Sequence, residues 1–348
     1  MSTVRGLAAG AFSISVLLLF TFIPLSAQEN PPSTPYHFVF FGRDRDRLSD
    51  STFTRNPDVA GAQVKYTWRE LEPARDQYDF SHVVQDIALL KSHRKRLFIQ
   101  LQDVSFSEEV RFAPEYLLSD PVFNGGVARK YDSSTPSDED ARFDGMVVRR
   151  WDPAVLDRLA KLLTALGRAL DGQIEGIAIS ETSISFGESG RFHPVGFSYS
   201  GYAESIKSMM SAARAAFSSS HVVIYANFMP GEDPERRIAY LRAVYEHAER
   251  TGVGVGGPDI LPNRPFQRRN SLPLIAARNP AIIGALAVQD GNLADRKPNG
   301  ERVTVAELYW FAADTLRLDY IFWGIEEPYY SAEVLPFLRR LRAPEQPE

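Results

Sequence analysis

The sequence predicts a closed (β/α)8 barrel in a single domain. Three observations lead there. Eight β-rich runs alternate with helical ones along one chain of 348 residues, and the helical stretches carry start and stop signals between those runs. No glycine fingerprint opens a helix, as a doubly wound nucleotide fold would require; the dense run Gly252–Gly257 leads into Pro258 and Asp259 instead.

Taken in order, residues 1–27 form a separate object. Arg5, an uncharged apolar run through Val16 and Phe20, then Pro24 and the small pair Ser26 and Ala27 predict a secretory signal cleaved after Ala27. Export, to the periplasm or beyond, follows as an expectation, with no membrane span left after cleavage. The barrel is expected over 28–342, and a Pro- and Glu-rich tail over 343–348 should fray.

The expected strands are His37–Arg43, Ala62–Trp68, Arg96–Gln102, Gly176–Ser180, His221–Phe228, Val253–Gly256, Ile282–Gln289 and Tyr320–Ile325. Asp152-Pro153 and Asp233-Pro234 read as an N-cap followed by proline in the first turn, and Thr304 with Glu307 as a capping box. Gly172 and Gly252 stand where helices should stop. Val83, Ile87 and Leu90, and likewise Ile238, Leu241, Tyr245 and Ala248, place one apolar stripe toward a sheet. Only the first crossover, about 46–61, lacks a clear helix. A long insertion, 105–150, follows the third strand; its centre, 131–145, should be mobile, while Phe106, Phe112, Tyr116 and Phe123 suit a lid or wall over the mouth.

Composition narrows the function. With 44% hydrophobic and 24% charged residues the chain is a water-soluble globule. Its 39 basic and 44 acidic side chains leave a net charge of −5, no footprint for nucleic acid. The absence of cysteine excludes disulfides and thiolate chemistry. Six histidines show no metal-ligand spacing, and no nucleophile-elbow motif occurs, so neither a cofactor nor a metal is expected.

Alternation within the strands points to the ligand. Gln63, Lys65 and Thr67 share one face, as do Gln100 and Gln102, and Tyr225 and Asn227, while Gln289 closes the seventh strand; Val64, Ile99, Leu101, Ile224 and Val288 lie between. Helix-facing positions of a barrel must be apolar, so the polar set should line the lumen and its mouth. Amides so placed suit a ligand rich in hydroxyls, a carbohydrate. Tyr66, Trp68, Trp323, Tyr329 and Tyr330, near the ends of strands two and eight, are expected to stack on sugar rings.

The stretch Tyr66-x-Trp68-x-x-Leu71-Glu72-Pro73 followed by Tyr78-Asp79-Phe80 resembles the second-strand region of (β/α)8 glycoside hydrolases of the retaining clan A type, with Asp76 in the place of a glycine. Ile177–Thr182 resembles their fourth strand. That resemblance implies a general acid/base at Glu181, with Ser180 in the place of the family's usual asparagine, and a sugar platform at Trp323. Where the family ends strand seven in a glutamate, this chain has Gln289-Asp290-Gly291-Asn292.

Independently of any family, a carboxyl at the C-terminal lip of a barrel strand after an apolar run is placed for a raised pKa. Glycoside cleavage needs a second carboxylate. Asp290 is the first candidate, although it stands one residue out of phase with Gln289 and needs a bulge at Gly291 to turn inward; Asp259 and Glu326 follow, and Glu70 is weaker. The reading is an exported glycoside hydrolase with Glu181 and Asp290 as catalytic pair and with Asp259, Glu326, Trp323, Asn227, Gln102, Gln289, Tyr66 and Trp68 around the substrate. The alternative is a non-catalytic carbohydrate-binding barrel serving polysaccharide assembly or transport.

Overall fold

A computed structural model describes residues 34–108, 112–132, 139–187 and 190–342. The expected signal and tail lie outside those residues. Eight parallel strands close into a barrel: β1 (Tyr36–Phe40), β2 (Gly61–Thr67), β3 (Arg96–Gln102), β4 (Gly176–Ile179), β5 (His221–Tyr225), β6 (Gly254–Gly257), β7 (Gly284–Val288) and β8 (Tyr320–Gly324), with β8 pairing back onto β1. All eight stand where the sequence placed them, one to three residues shorter at most C-terminal ends.

Period-two alternation sorts their side chains into two cores. Phe38, Phe98, Tyr320 and Phe322 point inward and plug the lower lumen, with Phe98 and Phe322 ring centroids 5.1 Å apart. Val39, Val64, Ile99, Leu101, Ile177, Ile224, Val255, Leu286 and Ile321 point outward against the helices. The largest helices are Ser81–Ser92, Pro153–Leu170, Tyr199–Ala216 and Pro234–Thr251. Asp152 and Asp233 cap two of them, each accepting from a first-turn amide beside the proline, and Thr304 with Glu307 forms the capping box of Val305–Trp310. Gly252 ends its helix at φ 74°, a left-handed conformation without penalty only for glycine. At Gly256 a Cβ would meet the Ala285 carbonyl oxygen at 1.9 Å, so this glycine serves the close approach of β6 to β7. The first crossover holds two short turns, Arg45–Ser49 and Ser51–Thr54, rather than a full helix.

The insertion is ordered at its root. Val104–Ser105, Phe143–Val148 and Val127–Tyr131 form a three-stranded antiparallel sheet, and Phe112 and Phe123 are buried. Tyr131, expected to be mobile, stacks on Phe192 at 4.3 Å; residues 133–138 of that stretch lie outside the described residues. Phe106 reaches the barrel mouth and is 64% exposed.

Candidate active site

A cavity of about 400 Å³ opens at the C-terminal ends of the strands. The polar face read from the sequence lines it: Gln63, Lys65, Gln100, Gln102, Tyr225, Asn227 and Gln289, joined by Ser180, Glu181 and Asp259. Below it the lumen is closed by a hydrogen bond across the axis, the Gln63 amide donating to the Tyr225 hydroxyl at 2.9 Å. This is the active-site end of a (β/α)8 barrel.

Glu181 stands two residues past the end of β4, held by two hydrogen bonds of its own and by the anchoring of its neighbours. The Asn227 amide nitrogen donates to its carboxylate at 2.7 Å, and Asn227 is itself oriented by accepting from the Phe228 N–H at 3.1 Å. The Glu181 carbonyl accepts from Arg150 Nη1 at 2.8 Å. Its neighbour Thr182 is pinned between the Tyr225 and Phe228 carbonyls. Arg150 is fully buried in a two-armed ion pair with Asp103, at 2.6 and 2.5 Å, and also reaches the Tyr202 hydroxyl. The end of the insertion thus holds the backbone of Glu181 in place through one guanidinium.

Burial raises the Glu181 pKa above the ordinary carboxylate range, and the negative charge of Asp259 adds to the rise; the Asn227 hydrogen bond and the cations Lys130 and Lys65 oppose it. Asp259 lines the same cavity just beyond β6, and Asn292 Nδ2 donates to it at 3.0 Å. Asn292 had no place among the sequence candidates. It lies in a helical turn, Asp290–Leu293, where its own side-chain oxygen accepts from the Gln289 N–H at 2.8 Å. The stretch after β7 is therefore a turn of helix, not the bulge expected at Gly291. The backbone of Asp290 opens that turn; its side chain lies outside the described residues. The Glu326 carboxylate folds back over Gly324, where a Cβ would meet it at 2.0 Å, and its charge reaches Lys65. Glu70 is spent in a capping box with Thr67. Gln102 and Gln289 donate to the carbonyls of Val104 and Pro258.

Four expected sugar contacts require correction. Trp323 is fully buried in the outer core and donates to His37 Nδ1 at 3.1 Å. Tyr66 is 1% exposed with its hydroxyl on Asp86 at 2.6 Å, and Trp68, fully buried, donates to Glu72 at 2.8 Å. Parity explains the first two: Tyr66 falls between the inward Lys65 and Thr67, and Trp323 next to the inward Phe322, so both face the helices. Tyr330 is buried as well. The aromatics that do border the cavity are Phe40, Phe106 and Phe228. Ser180, in the place of the family's asparagine, donates its hydroxyl to the Leu101 carbonyl at 2.5 Å and so has no proton left for a sugar.

The glutamate of the Trp68–Pro73 motif is structural. Glu72, fully buried, accepts from Trp68, Tyr116, Arg158 and the Asp76 N–H, and so ties β2 to the insertion and to the helix Pro153–Leu170. Asp76, in the place of a glycine, adopts φ 59° and its carboxylate holds Arg158 at 2.7 Å. Among the described residues no group of three or more His, Cys, Asp or Glu side chains could hold a metal ion, and no helix is long and apolar enough to cross a membrane.

No family model and no curated protein matches the chain. Solved structures do. The catalytic domain of β-amylase from Paenibacillus polymyxa superposes with a TM-score of 0.55 at 8% identity, over 85% of this chain and 93% of that one. A GH5_18 protein from Streptomyces cattleya in complex with Manb1-4GlcNAc gives 0.52 at 16% identity, over 90% and 82%. A GH10 endoxylanase from a sugarcane soil metagenome gives 0.50 at 12% identity, over 84% and 86%. The chain shares the barrel fold of these glycoside hydrolases, which agrees at the level of fold with the resemblance in its second and fourth strands; at such identities the likeness extends no further.

Proposed function

We propose that this barrel is a glycoside hydrolase in which Glu181 is the general acid/base and Asp259 its partner carboxylate. The observation that supports it most is one cavity at the C-terminal mouth containing a half-buried carboxyl with a raised pKa and a second carboxylate whose charge it feels. Protonated Glu181 would donate to the glycosidic oxygen as the bond to the anomeric carbon lengthens. Asp259 would then either attack that carbon or deprotonate the water that does. Tyr225, Gln100, Gln102 and Asn227 supply the amide and hydroxyl groups that a sugar requires. Asp290 stands next in line as the partner, since it lies on the same rim. Export is part of the proposal and rests on the sequence of residues 1–27.

The test is reducing-end release from a panel of glycans by the purified protein. The expected result is that at least one bound glycan is shortened. Binding without any shortening would contradict the proposal and favour a carbohydrate-binding barrel.

A further inference from the structure

Lys65 stands out among the groups around the cavity. It projects inward from β2 and lines the cavity, yet among the described residues its ammonium makes no hydrogen bond or ion pair. Its nearest aromatic contact is the Phe40 ring, 5.1 Å from the ammonium. The two carboxylates of the cavity are engaged elsewhere, Glu181 with Asn227 and Asp259 with Asn292. On the adjacent β3, the side-chain oxygens of Gln100 and Gln102 are also buried without a partner among the described residues. The half-buried ammonium thus loses part of its hydration with no hydrogen-bonded counter-ion to replace it, and burial lowers its pKa although the charges of Glu181 and Glu326 oppose the fall.

The charges are segregated around the barrel. In the strand order β2 lies diametrically across from β6, and β4, which carries Glu181, stands midway between them. Lys65 on β2 therefore faces Asp259 after β6 from the far side of the axis. Lys130, from the insertion, adds a second cation to the field at Glu181: its side chain is 2% exposed, 3.6 Å from Asp144 and 3.9 Å from the Phe106 ring, and its charge bears on Glu181. A sugar spanning the mouth between β6 and β2 would thus meet an acceptor at one end and a positive charge at the other.

We infer that Lys65 is the seat for an anionic substituent of the glycan, a uronic acid carboxylate or a sulfate ester, so that the ligand is an acidic glycan. The inference rests on the reading of the cleft as a glycan site and specifies its substrate class. An anion placed against Lys65 would supply the missing counter-charge in a partly desolvated wall, where a charged hydrogen bond is strongest.

The test is calorimetric binding of matched pairs: galacturonate oligomers against their methyl esters, and sulfated galactan oligomers against their desulfated forms. The acidic member of one pair should bind at least about tenfold tighter, and the preference should shrink with added salt. Which pair shows it identifies the substituent. Lys65→Met should erase the preference, so that the acidic and neutral members of each pair bind alike, while Lys65→Arg keeps most of it. Because Lys65→Met removes an unpaired charge, its Tm should equal or exceed that of the wild type. If the variant does not fold, the salt dependence of the unmodified protein still decides. Equal binding of acidic and neutral partners would overturn the inference, as would borohydride trapping of a carbonyl compound on Lys65, which would make it an amine nucleophile. Lys65-dependent binding of an acidic glycan that is never cleaved would sink the hydrolase and leave this inference standing. Cleavage of a neutral glycan, undiminished in Lys65→Met, would do the reverse.

Discussion

The Asn227 amide nitrogen donates to the Glu181 carboxylate across 2.7 Å, from the end of β5 to the end of β4. This bond favours the ionised form, against the burial that favours the protonated one. A hydrogen bond to a charged group contributes about 1.5–3 kcal/mol, and one pH unit corresponds to about 1.4 kcal/mol. Asn227→Ala should therefore move the alkaline limb of the kcat/KM profile upward by about one pH unit or more. The sign follows from Glu181 acting as an acid: activity falls as pH rises through its pKa, and losing the donor raises that pKa. A pH–rate profile checks this, and a downward shift would contradict the assigned role.

The cluster around Glu72 should govern stability rather than chemistry. Arg158→Met leaves the Glu72 carboxylate buried without its cation, a loss of about 3–5 kcal/mol. Tyr116→Phe removes one neutral donor and should cost about 1–3 kcal/mol. Urea unfolding measures both, and glycan affinity of the folded fraction should be unchanged.

His37 makes stability depend on pH. Burial lowers its pKa to about 4, and Nδ1 accepts from the Trp323 indole, so the folded protein holds it neutral. Between about pH 6.5 and 4 the unfolded chain binds a proton that the folded one refuses, so stability falls as pH drops through that window, by up to about 3 kcal/mol. Above pH 6.5 this contribution does not vary. Carboxylates titrate in the same range, so the measurement is the difference between wild type and His37→Gln, which keeps an acceptor for Trp323. That difference should narrow as pH falls from 6.5 to 4.

Substitution also separates platform from core. Phe228→Ala should weaken glycan binding with little change in Tm, since Phe228 borders the cavity at the surface. Trp323→Phe should lower Tm without altering the affinity of the folded protein, because the indole is fully buried away from the cavity. The opposite pattern would restore Trp323 as a sugar platform.

Much of the fold was legible because a barrel strand advertises itself twice, by its two-residue period and by the helix caps that follow it. The same period placed Gln63, Lys65, Gln100 and Asn227 on the lumen. It also sends Tyr66, between Lys65 and Thr67, outward to the helices, because phase along a strand and not nearness to the mouth decides which way a side chain faces. Arg150 and Lys130 were not legible, because their approach to Glu181 depends on the path of a 46-residue insertion (105–150) that local pattern does not specify. Asn292 was hidden for a related reason: a turn of helix after β7 carries it toward Asp259, where strand periodicity would have ended.

The central claim is that Glu181 transfers the proton that cleaves a glycosidic bond. The most direct measurement is reducing-end release by Glu181→Gln on a glycan that the wild type shortens, at a concentration saturating both proteins. The account requires kcat to fall by a factor of about 10²–10⁴ while Kd stays within a few-fold of wild type. An undiminished kcat in Glu181→Gln, with binding intact, would contradict it.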